Sequence, residues 1–265
     1  MTHFYRHVYL SPHYDDAALS SGGSIHRQVQ AGELALVITI CAAPPETNEP
    51  LSPYAEAMHR TWSAPQAVVA TRQTEDQAAM QILGANYLRL RFTDCIYRGQ
   101  PRAEAWYYNN DDQLFGPVHP ADQPLVADIV EAVLEMVPPG EKTILYAPLG
   151  VGHHADHQLA HLAARQLQAQ GYPLVFYEDY PYADPIFAAR YAHTLAATLA
   201  DLPPPPLQPE LRLLSTANLA AKIDSIRTYA SQVPLLFGSE ATMATIVRNY
   251  ALHVGQGRLA ERVWR

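Results

Sequence analysis

The chain has 265 residues, a formal net charge of −8 and 48% hydrophobic content, which suits one large domain with a sizeable core. The acidic balance, without a long basic run, excludes a nucleic-acid backbone or an anionic membrane surface as partner and points to a small molecule. Cys41 and Cys95 are the only cysteines, so no disulfide framework or cysteine zinc finger is available, and both read as buried, inert thiols in a reducing cytoplasm.

The opening residues, Met1 to His13, meet charge and histidine before any apolar run, so no signal peptide is expected. No segment approaches the ~20 apolar residues of a membrane span. His7 to Leu10 reads as a strand, Ala17 to Gln30 as a helix, Leu34 to Ala42 as a strand and Ala64 to Leu83 as a helix. Tyr87 to Phe92 is the next strand, Pro124 to Val137 a helix, Thr143 to Ala147 a strand, Ala155 to Gln170 a helix and Leu174 to Tyr177 a strand. This alternation predicts an α/β protein, a three-layer α/β/α sandwich around a mostly parallel, Rossmann-like sheet.

Two stretches interrupt the alternation, 43–53 and 98–123, and long loops in a compact domain are usually functional or mobile. The tetraproline Pro203 to Pro206 reads as a stiff connection into a late strand, Glu210 to Leu214. Helices are expected over Ala217 to Val233 and Glu240 to His253. There is no internal repeat, and residues 1–265 are expected to form a single domain with C-terminal helices after about 203.

Ligands of doubly wound sheets bind beyond the carboxyl ends of the strands. Two strand-to-helix turns there carry dense chemistry: Ser11-Pro12-His13-Tyr14-Asp15-Asp16 and Gly152-His153-His154-Ala155-Asp156-His157. Mixed His and carboxylate donors suit a catalytic zinc site, in which three protein ligands leave a position for water. Each cluster also has a plainer reading, since Asp is a preferred helix N-cap and a lone His near a helix start is usually a surface residue.

A second pattern overlaps the later cluster. Gly150-Val151-Gly152-His153-His154-Ala155 matches G-x-G-x-x-A, with Glu178 and Asp179 after the next strand as candidate ribose-binding acids, which would make the chain a nucleotide-dependent oxidoreductase. Consecutive histidines would crowd such a turn, and the first cluster would be left without a role. A G-x-S-x-G elbow, an H-E-x-x-H motif and a Walker loop are all missing.

Ser-Pro-His-Tyr-Asp-Asp followed by His-Ala-Asp-His resembles the PIG-L (LmbE-like) family of zinc-dependent N-deacetylases. The likeness continues through Thr71-Arg72-Gln73-Thr74-Glu75, Phe92-Thr93-Asp94 and Tyr177-Glu178-Asp179-Tyr180-Pro181-Tyr182, covering roughly residues 5 to 185. The resemblance implies that His13, Asp16 and His157 bind Zn2+ and that Asp15 is the general base. It further implies that a cationic His154 steadies the oxyanion or protonates the amine, with Asp156 orienting it, and that Arg72 and Asp94 contact sugar hydroxyls.

The implied substrate is an N-acyl, typically N-acetyl, sugar or glycoconjugate, and association into a homo-oligomer is left open. The sequence departs from the family pattern at Tyr14, at Ala17 where a Glu is common, and at Ala155 where a Pro is frequent. His153 is an extra imidazole. Ala17 keeps a third reading in play, an inactive family member that retains the metal. The Tyr-rich run Trp106 to Asp112 is a candidate substrate wall or a solvated loop.

Overall fold

A computed structural model describes residues 4–62, 68–140, 142–188 and 193–265. In chain order it forms β1 (His7–Ser11), α1 (Asp16–Gln30), β2 (Ala35–Thr39), α2 (Pro53–Thr61), α3 (Val68–Leu83), β3 (Asn86–Arg89) and α4 (Leu125–Met136). There follow β4 (Ile144–Pro148), α5 (Ala155–Ala169), β5 (Leu174–Tyr177), β6 (Pro209–Leu213), α6 (Thr216–Arg227), α7 (Val233–Phe237), α8 (Glu240–Val254) and β7 (Ala260–Trp264). The strands join one seven-stranded sheet in the order β3-β2-β1-β4-β5-β7-β6. Pairing is parallel from β3 to β5, while β7 runs antiparallel to both β5 and β6.

A parallel strand covered on both faces must be apolar on both. In β1, Val8 and Leu10 join the core formed with Ile129 and Val133 of α4 and Leu159 of α5. Tyr9, on the opposite face, packs in the cluster that holds Ile25 of α1 with Met80 and Leu83 of α3. This alternation builds the expected three layers.

The predicted helix from Ala64 is described from Val68 onward, and 64–67 lie outside the described residues. The helix expected over Ala217 to Val233 ends at Arg227, and α7 starts afresh at Val233 with Pro234 in its first turn, where a missing N–H is tolerated. Strand β7 and helix α2 lie where neither was anticipated. Within β7, Glu261 turns inward to pair with Lys222 of α6 at 2.7 Å and to accept from the Gly23 and Ser24 amides of α1. A Cβ on Gly23 would lie 2.6 Å from a Leu214 methyl and 3.1 Å from Glu261 Oε1, so a larger residue there would have to displace the Leu214 side chain.

The C-terminal helices pack on α1 through Leu19, Leu219, Phe237, Met243 and Val247. No helix among the described residues is long and apolar enough to cross a membrane.

Candidate metal centre and active-site cleft

In the order β3-β2-β1-β4-β5 the chain leaves β1 toward one edge and β4 toward the other. A crevice therefore opens beyond their carboxyl ends, and both sequence clusters converge in it. The first turn is held by Ser11, whose hydroxyl donates to the His13 carbonyl at 2.6 Å and accepts from the Ala17 amide at 3.0 Å. Asp16 Oδ2 accepts from the His13 amide at 2.7 Å. Asp15 occupies the N-cap position of α1, yet its side chain caps nothing.

His13, Asp16 and His157 each offer a donor atom within 4.8 Å of the others. His13 Nδ1 lies 3.1 Å from Asp16 Oδ2 and His157 Nε2 lies 3.4 Å from Asp16 Oδ1. His157 Nε2 is buried without a hydrogen-bond partner, which is costly for a polar atom unless something binds it. Two imidazole nitrogens and a carboxylate directed at one point form a donor set that fits a divalent metal.

Each imidazole is backed by a carboxylate on its far side. Asp156 Oδ2 lies 3.0 Å from His13 Nε2 and Asp179 Oδ1 lies 2.7 Å from His157 Nδ1. Such contacts fix which ring nitrogen faces a metal. Burial pushes the Asp156 carboxyl up, but Arg98 and the His13 hydrogen bond outweigh it and hold it well below the usual range. Burial lowers His157, and Asp16 and Asp179 reverse this, pushing it to about 9.

Asp179 also resolves the glycine motif. Gly150 and Gly152 do adopt left-handed backbone, φ 93° and 83°. The Gly150 and Val151 amides, however, donate to Asp179 Oδ2 at 2.8 and 3.0 Å, so the turn's donors are already taken by a carboxylate. Glu178 is committed elsewhere, accepting from the Trp264 indole at 2.9 Å and the Tyr250 hydroxyl at 2.8 Å. A pyrophosphate would have to displace Asp179 from the Gly150 and Val151 amides and would find Glu178 already paired, so the oxidoreductase reading is not favoured.

Two expectations about the second turn change. The Asp156 carboxylate serves His13 rather than His154, whose Nδ1 instead accepts the Asp156 backbone amide at 3.2 Å. Burial, then His13 and His157, push His154 well below its ordinary value, so it is neutral rather than cationic, with its proton on Nε2. His153, at φ 64°, points away, with Nδ1 3.2 Å from the Phe115 carbonyl and its ring stacked on His193 at 3.8 Å.

A cavity of about 380 Å3 opens above these groups. Its floor carries His13, Asp15, Asp16, Asp94 and His154; its walls include Tyr54, Trp62, Phe115, Tyr182, Phe187 and Leu235. Arg72 lines it too, buried, with Nη2 2.7 Å from Asp15 Oδ1 and its cation over the Trp62 and Tyr14 rings at 5.5 and 5.6 Å. Asp94 Oδ2 lies 3.7 Å from His13 Nε2, and Asp94 Oδ1 accepts the Ile96 amide at 3.2 Å.

Of the Tyr-rich run, Asp111 reaches the cavity, accepting from Tyr54 at 2.6 Å, while Tyr108 is buried beneath. Sequence reasoning missed Asp179's structural role, Arg98, and the wall residues of α7. The spacing of these residues carried no signal, because each meets the site from a different element.

The family model for PIG-L, GlcNAc-PI de-N-acetylase, matches residues 8–168. Two relatives are 2'-N-acetylparomamine deacetylases. The one from Niallia circulans is 29% identical over 191 residues, 66% of each chain; the one from Streptomyces fradiae is 32% identical over 196 residues, 72% of this chain and 62% of that one. The chain thus spans just under two thirds of the length of these relatives. Among solved structures, the zinc-inhibited form of teicoplanin deacetylase Orf2 is 27% identical with a TM-score of 0.79, covering 97% of this chain and 96% of that one. The A40926 pseudoaglycone deacetylase Dbv21 is 27% identical with a TM-score of 0.74, covering 99% and 97%.

Proposed function

The chain belongs to the PIG-L family of de-N-acetylases, and on that premise we propose that it is a zinc-dependent hydrolase that removes an N-acetyl group from a small amino-sugar substrate. In this reading His13, Asp16 and His157 hold the zinc, Asp15 is the general base, His154 steadies the oxyanion, and Asp156 supports His13. The observation that carries it is the convergence of three buried donors, His13, Asp16 and a His157 Nε2 that makes no hydrogen bond, at a cavity lined by His13, Asp16 and Asp15.

A bound divalent ion supplies Lewis acidity, lowering the pKa of its water from about 15.7 toward 7 and polarising the amide carbonyl. The chain supplies the rest. Asp15, one oxygen held by Arg72, accepts the proton of the attacking water. Neutral His154 donates from Nε2 to the oxygen on which charge develops, a stabilisation of a few kcal/mol in comparable sites. Asp15 returns its proton to the departing nitrogen as the C–N bond breaks, giving acetate and a free amine.

Arg72 is engaged with Asp15, so the carboxylates of Asp94 and Asp111 leave the cavity acidic. That charge, with the relatives named for paromamine, supports a substrate bearing further cationic amino groups over a phospholipid head group. Ala17 replaces the usual Glu without displacing any donor, and its amide is used by Ser11, which favours an active enzyme over an inert one. We read residues 1–265 as one domain, since α7 contributes Leu235 and Leu236 to the cavity wall, and a cytoplasmic setting suits its two free cysteines.

The test is amine release from 2'-N-acetylparomamine, neutral N-acetylglucosamine conjugates and N-acetylglucosaminyl phospholipid by zinc-loaded protein. The reading expects the polycationic substrate to be turned over with the highest kcat/KM. Stoichiometric zinc without acetate release from any of them would reject the activity.

A further inference from the structure

We infer that Arg98, paired with Asp122, is a positioning residue for His13 and ties the 98–123 segment to the metal-ligand set. The inference rests on the metal reading above.

Arg98 is almost wholly buried, as are both of its anionic partners. One guanidinium nitrogen, Nη2, contacts Asp156 Oδ1, and Nε lies 2.9 Å from Asp122 Oδ2. The other Asp156 oxygen accepts the Cys95 amide at 3.0 Å and lies 3.0 Å from His13 Nε2. Arg98 and the Cys95 amide can only donate, so both Asp156 oxygens are accepting, and the carboxylate presents an acceptor that favours a proton on His13 Nε2. The lone pair of His13 then sits on Nδ1, the nitrogen that faces Asp16. Without the rigid fork of Arg98, the carboxylate could rotate and the tautomer would no longer be specified.

Placement in the chain adds a second consequence. Arg98 opens the 98–123 segment and Asp122 nearly closes it, so one guanidinium gathers both ends of the segment against the carboxylate behind His13. Between those ends the same segment supplies Asp111, Leu114 and Phe115 to the cavity. The substrate wall and the metal ligand thus share a single anchor. A lysine has one charged nitrogen and cannot bridge both carboxylates in this geometry.

The test measures zinc affinity by competition with a chromogenic chelator for wild type, Arg98→Lys and Asp122→Asn, alongside thermal unfolding of the zinc-free proteins and steady-state kinetics. The expected result is one tightly bound zinc in wild type and a ten- to hundredfold weaker affinity in each variant, the range seen when carboxylate support of a ligating histidine is disturbed. Zinc-free unfolding temperatures should stay within a few degrees of wild type in at least Asp122→Asn, and kcat at saturating zinc should fall more than KM rises.

Wild-type zinc affinity in both variants would overturn the inference. So would weakened affinity that appears only in variants whose zinc-free form is equally destabilised, the mark of a merely structural role. Wild-type protein that binds no zinc would overturn the metal reading together with this one, whereas variants that fail alone leave the metal reading standing.

Discussion

Arg72 and Asp15, 57 residues apart, form a buried ion pair at 2.7 Å on the floor of the cleft. The pair adds a contact with the expected base to the sugar contact expected of Arg72, which also lines the cavity. A guanidinium held between the Trp62 and Tyr14 rings aims one carboxylate oxygen and leaves Asp15 Oδ2 without a protein hydrogen bond among the described residues.

If Arg72 aims the base, Arg72→Lys should lower kcat by about 10- to 100-fold, because misplacing a catalytic group by about 1 Å has effects of that size. KM should change little. A raised KM with kcat intact would instead mark a residue that binds substrate uniformly in ground and transition states.

Replacing Asp15 with Asn should reduce kcat by about 10²- to 10⁴-fold, the usual contribution of a positioned general base. Zinc content, read by metal analysis after dialysis, should remain near one per chain. Near-normal turnover in this variant would transfer the base role to another group.

Exhaustive chelation should abolish acetate release, and added zinc should restore it. Asp179→Asn should weaken zinc binding by about 10- to 100-fold, since it removes the support behind His157 and disturbs the Gly150 turn together. His157→Ala should lose zinc and activity alike. Activity that survives complete metal removal would reject metal catalysis.

His161 gives a pH prediction for stability. Burial lowers its pKa below the ordinary histidine value; its Nδ1 donates to the Pro148 carbonyl at 3.1 Å and its ring stacks on Phe176 at 4.4 Å. The unfolded chain then binds a proton at a pH where the folded one does not. Stability is therefore fully present above about pH 6.5 and declines as pH falls from there toward the lowered folded value. His161→Phe should shallow this decline, measured as unfolding midpoints between pH 5.5 and 7.5; an unchanged slope would show that His161 does not contribute.

The parallel core was legible because its determinants are local. Apolar runs such as Leu174 to Tyr177 and the helical spacing of Ala155 to Gln170 lie within a few residues of themselves, and the elements appear within a residue or two of their expected bounds. Strand β7 was not legible. Ala-Glu-Arg-Val-Trp carries two charges, and Glu261 is tolerated inside only because Lys222 and two amides of α1 meet it there.

By itself the amino-acid sequence determined the layered α/β architecture, the family resemblance, and the two turns whose histidines and carboxylates could meet. Only the tertiary structure decided what each of those groups touches: Asp156 on His13 rather than on His154, Arg72 on Asp15, Asp179 filling the glycine turn, Arg98 closing the 98–123 segment. The reason is one of range. Periodicity and turn chemistry are short-range properties of the chain, whereas a buried charge takes whichever partner the packing of distant elements brings within about 3 Å.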